Sequence, residues 1–228
     1  MDFPELPARL AEVRQEIAAR RAKGGWSAPV RIVAVTKTHG PEAVRAAKDA
    51  GLDAVGENRV QEALPKQDAT ADVPIEWHLI GSLQRNKVRQ VVGRFALIHS
   101  IDRFELAEEF QKRVPEGSRQ PILLQVNCSG EPQKGGVEPA ECISLLDRLR
   151  HFDRLEVRGL MTMAELTDDE TVQRAAFQRL RAVQQGGIGA GHALPELSMG
   201  MSGDYGVAIE EGATLVRLGT LLFGTREA

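Results

Sequence analysis

Hydrophobic positions in this chain come first at helical spacing and then in short unbroken runs. Leu6, Leu10, Val13 and Ile17 recur every three or four residues with Arg and Glu between them. That spacing predicts an amphipathic N-terminal helix, stopped by Gly24 and Gly25. From there one unit repeats: a short apolar run, a polar or glycine turn, and a segment of helical period. The runs are RIVAVTK (31–37), AVGEN (54–58), EWHLIGS (76–82), LIHSI (97–101), PILLQVN (121–127), EVRGLMTM (156–163), ELSMGMS (196–202) and LVRLGT (215–220). Apolarity that is continuous rather than alternating suits strands covered on both faces, as in a parallel sheet. Helix punctuation falls between the runs. Pro41 and Pro139 suit first helical turns. Asp102 with Glu105, and Thr167 with Glu170, read as capping boxes. Gly51, Gly186 and Gly212 lie where helices would end.

Eight strand–helix units match a closed (β/α)8 barrel, and 228 residues exceed the roughly 200 such a barrel needs. An open doubly wound sheet satisfies the same pattern, because periodicity does not reveal closure. No linker, low-complexity segment or break in composition divides the chain. The expectation is one domain over residues 1–228, with 1–24 forming a helix packed on it.

Composition narrows the class. Hydrophobic residues at 42% and charged residues at 27% are ordinary for a soluble globular chain, and exclude a disordered, collagenous or membrane-embedded one. Lys+Arg 29 against Asp+Glu 32 leaves −3, too weak a field to recruit nucleic acid or anionic lipid, so neither is expected as a partner. Cys128 and Cys142 form no CxxC and fit a reducing cytosol. The start, MDFPELPARLAEV, lacks a secretory pattern, and no apolar stretch reaches the eighteen or so residues of a membrane span. A cytoplasmic protein is expected.

In a barrel of this kind the C-terminal strand ends build the active face. The polar residues closing the runs are therefore the candidates: Lys37, Asn58, Ser82, Ser100, Asn127, Ser202 and Thr220. Lys37 ends a β-branched run, so its stem is expected against the core. An amine desolvated there has a lowered pKa and can act as a Schiff-base nucleophile; otherwise it is a solvated lysine at a strand end. Arg217 interrupts an apolar strand and needs a partner. Glu57 or Asp102 would serve as a structural carboxylate; the alternative is a ligand in the barrel mouth. Ser202 and Gly203 fall at the start of a short predicted helix (204–211), and Gly219 with Thr220 close the last run. Loops after strands seven and eight with a helix N-terminus are a recurring phosphate site of such barrels.

Other features are set aside. GGIGAG (186–191) follows a helix and precedes a strand, the reverse of a dinucleotide loop. The histidines (39, 78, 99, 151, 192) lack zinc spacing, and His78 reads as a packed strand residue. No GxSxG elbow occurs. Met161, Met163, Met199 and Met201 read as core filler.

AVTKTHG, GENRVQEALPK, WHLIGSLQRNK, HSID, VNCSGEPQKGG, GLMTMAE, SMGMSGDYGVAIEEG and VRLGTLLFG closely resemble the pyridoxal phosphate homeostasis proteins, single-domain relatives of the alanine racemase barrel. The resemblance runs in order from about Arg31 to Arg226. It implies a (β/α)8 barrel that binds pyridoxal 5′-phosphate (PLP) as a reversible internal aldimine on Lys37. It places Arg217 at the pyridine nitrogen, Ser202, Gly219 and Thr220 on the phosphate, and Asn58, His78 and Gly81 along the pocket. Lys134 follows as a second, mobile contact. One departure is Tyr205, which intervenes after Asp204 where the family often has acidic residues.

Arginine is always a donor, so it leaves a facing ring nitrogen unprotonated and the cofactor a weak electron sink. That opposes transamination and permits racemisation, which needs a second base. The single tyrosine, Tyr205, sits in the turn expected to hold phosphate. The expectation is a monomeric carrier or regulator in intracellular PLP homeostasis, not an enzyme. Its partners would be PLP and, as recipients, PLP-dependent apo-enzymes. An amino-acid racemase using Lys37 and Tyr205, or a Schiff-base aldolase acting on sugar phosphates, remains as the alternative.

Overall fold

Each apolar run contains one parallel strand, and the two ends of the row meet. The computed structural model describes residues 3–131 and 134–224. In it β1 (Arg31–Val35), β2 (Ala54–Glu57), β3 (Glu76–Leu79), β4 (Leu97–Ile101), β5 (Gln120–Gln125), β6 (Leu155–Met161), β7 (Glu196–Ser198) and β8 (Leu215–Leu218) form a closed barrel in sequence order. β8 pairs back onto β1, with Val33 opposite Arg217. Closure decides between the two sheet architectures in favour of the (β/α)8 barrel.

The runs look unbroken because both strand faces are buried. Ile32, Ala34, Val55, Leu79, Ile98, Ile122 and Leu124 join the core beneath the surrounding helices. Their alternates Val33, Ala54, Leu97, Leu123, Met161 and Leu215 form a separate small cluster inside the barrel. The interior is therefore packed, and ligand space is confined to the strand ends.

The helices are α1 (Leu6–Gly24), α2 (Pro41–Asp49), α3 (Val60–Ala69), α4 (Val88–Val91), α5 (Phe104–Arg113), α6 (Cys142–Leu149), α7 (Glu170–Gly189), α8 (Tyr205–Glu210) and α9 (Thr220–Phe223). Pro41 starts α2, and Pro139 starts the single 3₁₀ turn that leads into α6. Gly25 ends α1 in the left-handed region at φ 75°, donating to the Ala22 and Arg21 carbonyls. Other punctuation differs from expectation. Arg103 is the cap residue of α5 and the Asp102 carboxylate pairs with it, so no capping box forms there. At α7 the cap is Asp169, which accepts from the Thr171 N–H, rather than Thr167. Gly186 lies inside α7, because the helix continues to Gly189.

Leu6, Leu10, Val13 and Ile17 are buried where α1 packs on α8 and α9, over the last two strand–helix units. Glu210 at the end of α8 fastens this contact. It bonds Arg20 at 2.6 Å and Lys23 at 2.8 Å from α1, and Arg174 at 2.8 Å from α7.

Candidate functional site

The mouth of the barrel is shaped first by the exit from β1. The strand stops at Val35, and the His39 N–H bonds the Thr36 carbonyl at 3.1 Å, closing a turn with Lys37 and Thr38 at its centre. Thr38 has φ 68°, the only non-glycine residue in the left-handed region among those described. A β-branched residue is disfavoured there. Lys37 is therefore exposed on a turn rather than folded against the core, and its amine makes no hydrogen bond or ion pair among the described residues. The expected desolvation of its amine is not met, because the strand ends two residues before it.

This turn is tied down from beneath. The buried Lys66 amine, on α3, donates to the Thr36 carbonyl at 2.8 Å and to Glu57 Oε1 at 2.5 Å. Thr36 Oγ1 donates to the same oxygen at 2.7 Å. Glu57 points outward from β2 to this pair and is not a partner for Arg217. Its other oxygen, Oε2, is buried without a hydrogen bond. Next to it, the backbones at Asn58 and Gly81 are pressed together: a Cβ on Gly81 would stand 2.7 Å from Asn58 Cα. Glycine is required there by backbone approach, and Ser100 Oγ donates to its carbonyl at 2.7 Å.

Arg217 is 4% exposed and forms no salt bridge with a carboxylate among the described residues. Its NH1 donates to Ser198 Oγ at 2.6 Å and its NH2 to the Thr162 carbonyl at 2.9 Å. Burial pushes the guanidinium down to about 10, with Asp204 partly offsetting this. A guanidinium has five N–H donors, so three make no hydrogen bond among the described residues. His78 lies deeper than a pocket wall. It is buried, with Nδ1 3.0 Å from His99 Nε2, while His99 Nδ1 lies 2.8 Å from Ser198 Oγ. Burial holds both imidazoles below their ordinary pKa, His99 the further.

Ser202 is half-buried in the turn after β7, ahead of the short helix expected there. Gly200, at φ 95°, sets that turn; a Cβ would stand 2.7 Å from Ala208 Cβ. Asp204 Oδ1 accepts from the Met201 N–H at 2.5 Å, and burial raises its pKa. Gly219 caps α9, and Thr220, exposed, is its first residue, where backbone N–H groups lack helical partners. Tyr205 turns elsewhere. It lines a groove of about 600 Å³ with Arg9, Glu12, Val13 and Glu16 of α1, and Thr220 opens onto the same groove. Burial raises the tyrosine's pKa. A second hollow of about 330 Å³, lined by Arg119, Leu155, Leu194 and others at the opposite barrel end, holds none of the candidate residues.

The amino-terminal domain of alanine racemase is the family model that matches, over residues 9–227. Pyridoxal phosphate homeostasis proteins of Aquifex aeolicus and Pseudomonas aeruginosa are 43% and 42% identical, over 100% and 96% of both chains. The chain belongs to the pyridoxal phosphate homeostasis protein family. PipY of Synechococcus elongatus PCC7942, solved with PLP bound, superposes with a TM-score of 0.84 at 37% identity, covering 96% of this chain and all of that one. Alanine racemase of Corynebacterium glutamicum shares the fold, with a TM-score of 0.72 at 16% identity, over 93% of this chain and 60% of the racemase.

Several parts of this family member's site were not picked out by sequence reasoning. Ser198, His99 and Thr162 surround Arg217; the signal for the first two was a polar residue inside an apolar strand, the same signal that exposed Arg217. Lys66 and Thr38 carried no such mark. Lys134 is less free than expected, with its amine on the Ala164 carbonyl at 2.6 Å and on Glu131 at 2.6 Å. Cys128 and Cys142 are buried thiols pushed up to about 11 and about 12 by burial, so neither is a ready nucleophile. Among the described residues no cluster of three metal-ligating side chains occurs, and no helix is long and apolar enough to cross a membrane.

Proposed function

We propose that this protein binds PLP reversibly at the C-terminal mouth of its barrel and serves PLP homeostasis by holding and releasing the cofactor, without turning over a substrate. The observation that carries this reading is Arg217: a buried cation with no carboxylate partner and three unused donors. A structural ion pair would have consumed them. PLP supplies an aldehyde carbon that bonds amines reversibly. Lys37 is the amine placed to meet it, unpaired and open to approach. That openness suits release as much as capture, since a competing amine reaches the same carbon. Ser202, Gly219 and Thr220 would hold the phosphate, with Asn58 and Gly81 fixing the neighbouring strand ends. The PLP-bound PipY relative supports the same ligand.

Tyr205 speaks against the racemase alternative, because it lines the α1 groove, which of the proposed PLP contacts only Thr220 reaches and Lys37 does not. Released PLP would pass to PLP-dependent apo-enzymes in the cytoplasm. Purified protein should be yellow, and borohydride should fix the cofactor on Lys37, as peptide mapping would read. Lys37→Ala should abolish fixation, and Arg217→Ala should weaken binding. Ser202→Ala and Thr220→Ala should each cost about 1.5–3 kcal/mol of affinity, the scale of a hydrogen bond to a charged group. A protein that stays colourless after incubation with PLP refutes the proposal. Turnover of an amino acid to its enantiomer, lost in Tyr205→Phe, would replace it with the racemase.

A further inference from the structure

The barrel interior holds two histidines that PLP binding, as proposed, leaves without a task. We propose that Arg217, Ser198, His99 and His78 form a one-way hydrogen-bond chain through the barrel, locking both histidines as neutral Nε2–H tautomers and making Ser198, His99 and His78 positioning residues for the Arg217 guanidinium.

The direction follows from the two ends. Arginine only donates, so Ser198 Oγ accepts from Arg217 NH1 at 2.6 Å. The serine hydrogen is then free for its other neighbour, His99 Nδ1 at 2.8 Å, which must be a bare acceptor. The proton of His99 therefore sits on Nε2 and is donated to His78 Nδ1 at 3.0 Å. His78 in turn carries its proton on Nε2, which is buried without a hydrogen bond and has the Glu76 carboxylate, on the half-exposed rim of the opposite face, 3.6 Å away. A carboxylate only accepts. The serine end fixes the orientation through hydrogen bonds, and the carboxylate's charge at the other end favours the same one.

The reverse orientation fails at the serine and is disfavoured by charge at the carboxylate. It would leave the Ser198 hydrogen without an acceptor and turn the bare Nε2 of His78 toward the carboxylate. Burial disfavours a charge on either ring. The contact with His78, with the Arg31 guanidinium beside it, holds Glu76 at about 2, so its carboxylate is ionised. Glu196 at the start of β7 is the remaining charged group acting on His78.

Guanidinium orientation is what the chain provides. Ser198 Oγ is one of only two anchors of Arg217, the other being the Thr162 carbonyl. His99 fixes the rotor of that hydroxyl, and His78 fixes the ring of His99. The tautomers concern the protein alone, whereas the consequence for affinity rests on the PLP reading above.

The test uses ¹⁵N-labelled protein without cofactor and long-range ¹H–¹⁵N correlation of the imidazoles. Both His78 and His99 are expected to show a protonated Nε2 and a bare Nδ1. A protonated Nδ1 on either ring, or a doubly protonated ring, overturns the chain. Ser198→Ala should release His99 into a mixture of tautomers and weaken PLP binding about tenfold, the scale of one hydrogen bond to a charged group. Ser198→Thr, which keeps the hydroxyl, should restore both. An unchanged His99 spectrum in Ser198→Ala refutes the proposal. Expected tautomers in a protein that fails to bind PLP would leave the chain standing and remove the cofactor reading. PLP binding with the opposite tautomers would do the reverse.

Discussion

At the scale of single residues, Thr38 and Gly81 show how backbone sterics shape the barrel mouth. Thr38 occupies a conformation at φ 68° that glycine adopts freely. Thr38→Gly should relieve that strain at some cost in chain entropy, for a net gain of up to about 1 kcal/mol in urea unfolding. The same change should weaken PLP capture, because the turn presenting Lys37 loses its definition. Gly81 is the opposite case. Any Cβ there meets Asn58 backbone atoms, which cannot rotate away. Gly81→Ala should therefore destabilise by about 2 kcal/mol or more, seen as a lower denaturation midpoint, with strands β2 and β3 forced apart at their ends.

At the scale of elements, the strands were readable because a barrel buries both faces of each one, and a continuous apolar run is its direct imprint. Arg217 was readable for the same reason, as a charge where the imprint allows none. The exposure of Lys37 was not. The run RIVAVTK is apolar from Ile32 to Val35, and the chain turns at Thr36, whose carbonyl Lys66, on α3, takes. No spacing rule links Thr36, Glu57 and Lys66; only the docking of α3 brings them together. The missing Asp102 capping box has a local cause, since Arg103 engages that carboxylate. The Lys66–Glu57 pair is fully buried, so removing one partner strands the other. Lys66→Met should cost about 3–5 kcal/mol, while Lys66→Met with Glu57→Leu should recover most of it, as a double-mutant cycle would measure.

Over the whole molecule, Glu210 joins segments distant in sequence. Burial alone would raise its pKa; Lys23, Arg20 and Arg174 outweigh that and hold it at about 2. The unfolded value is about 4.3, so the folded value is depressed. The carboxylate therefore stabilises the fold above that pH and loses its contribution as pH falls toward 2. Glu210→Gln should lower stability at neutral pH and flatten its decline across the acid range, as urea titrations at successive pH values would record. The same knot orders events on the ribosome. The apolar stripe of α1 emerges early, yet its seat is built from residues 205–223, so it waits through almost the entire translation. The turn bearing Lys37 is likewise made long before the loops after β7 and β8. On the function proposed above, a nascent barrel would hold one jaw of the grip without the other, and PLP would stay in circulation until the last strand has joined the first.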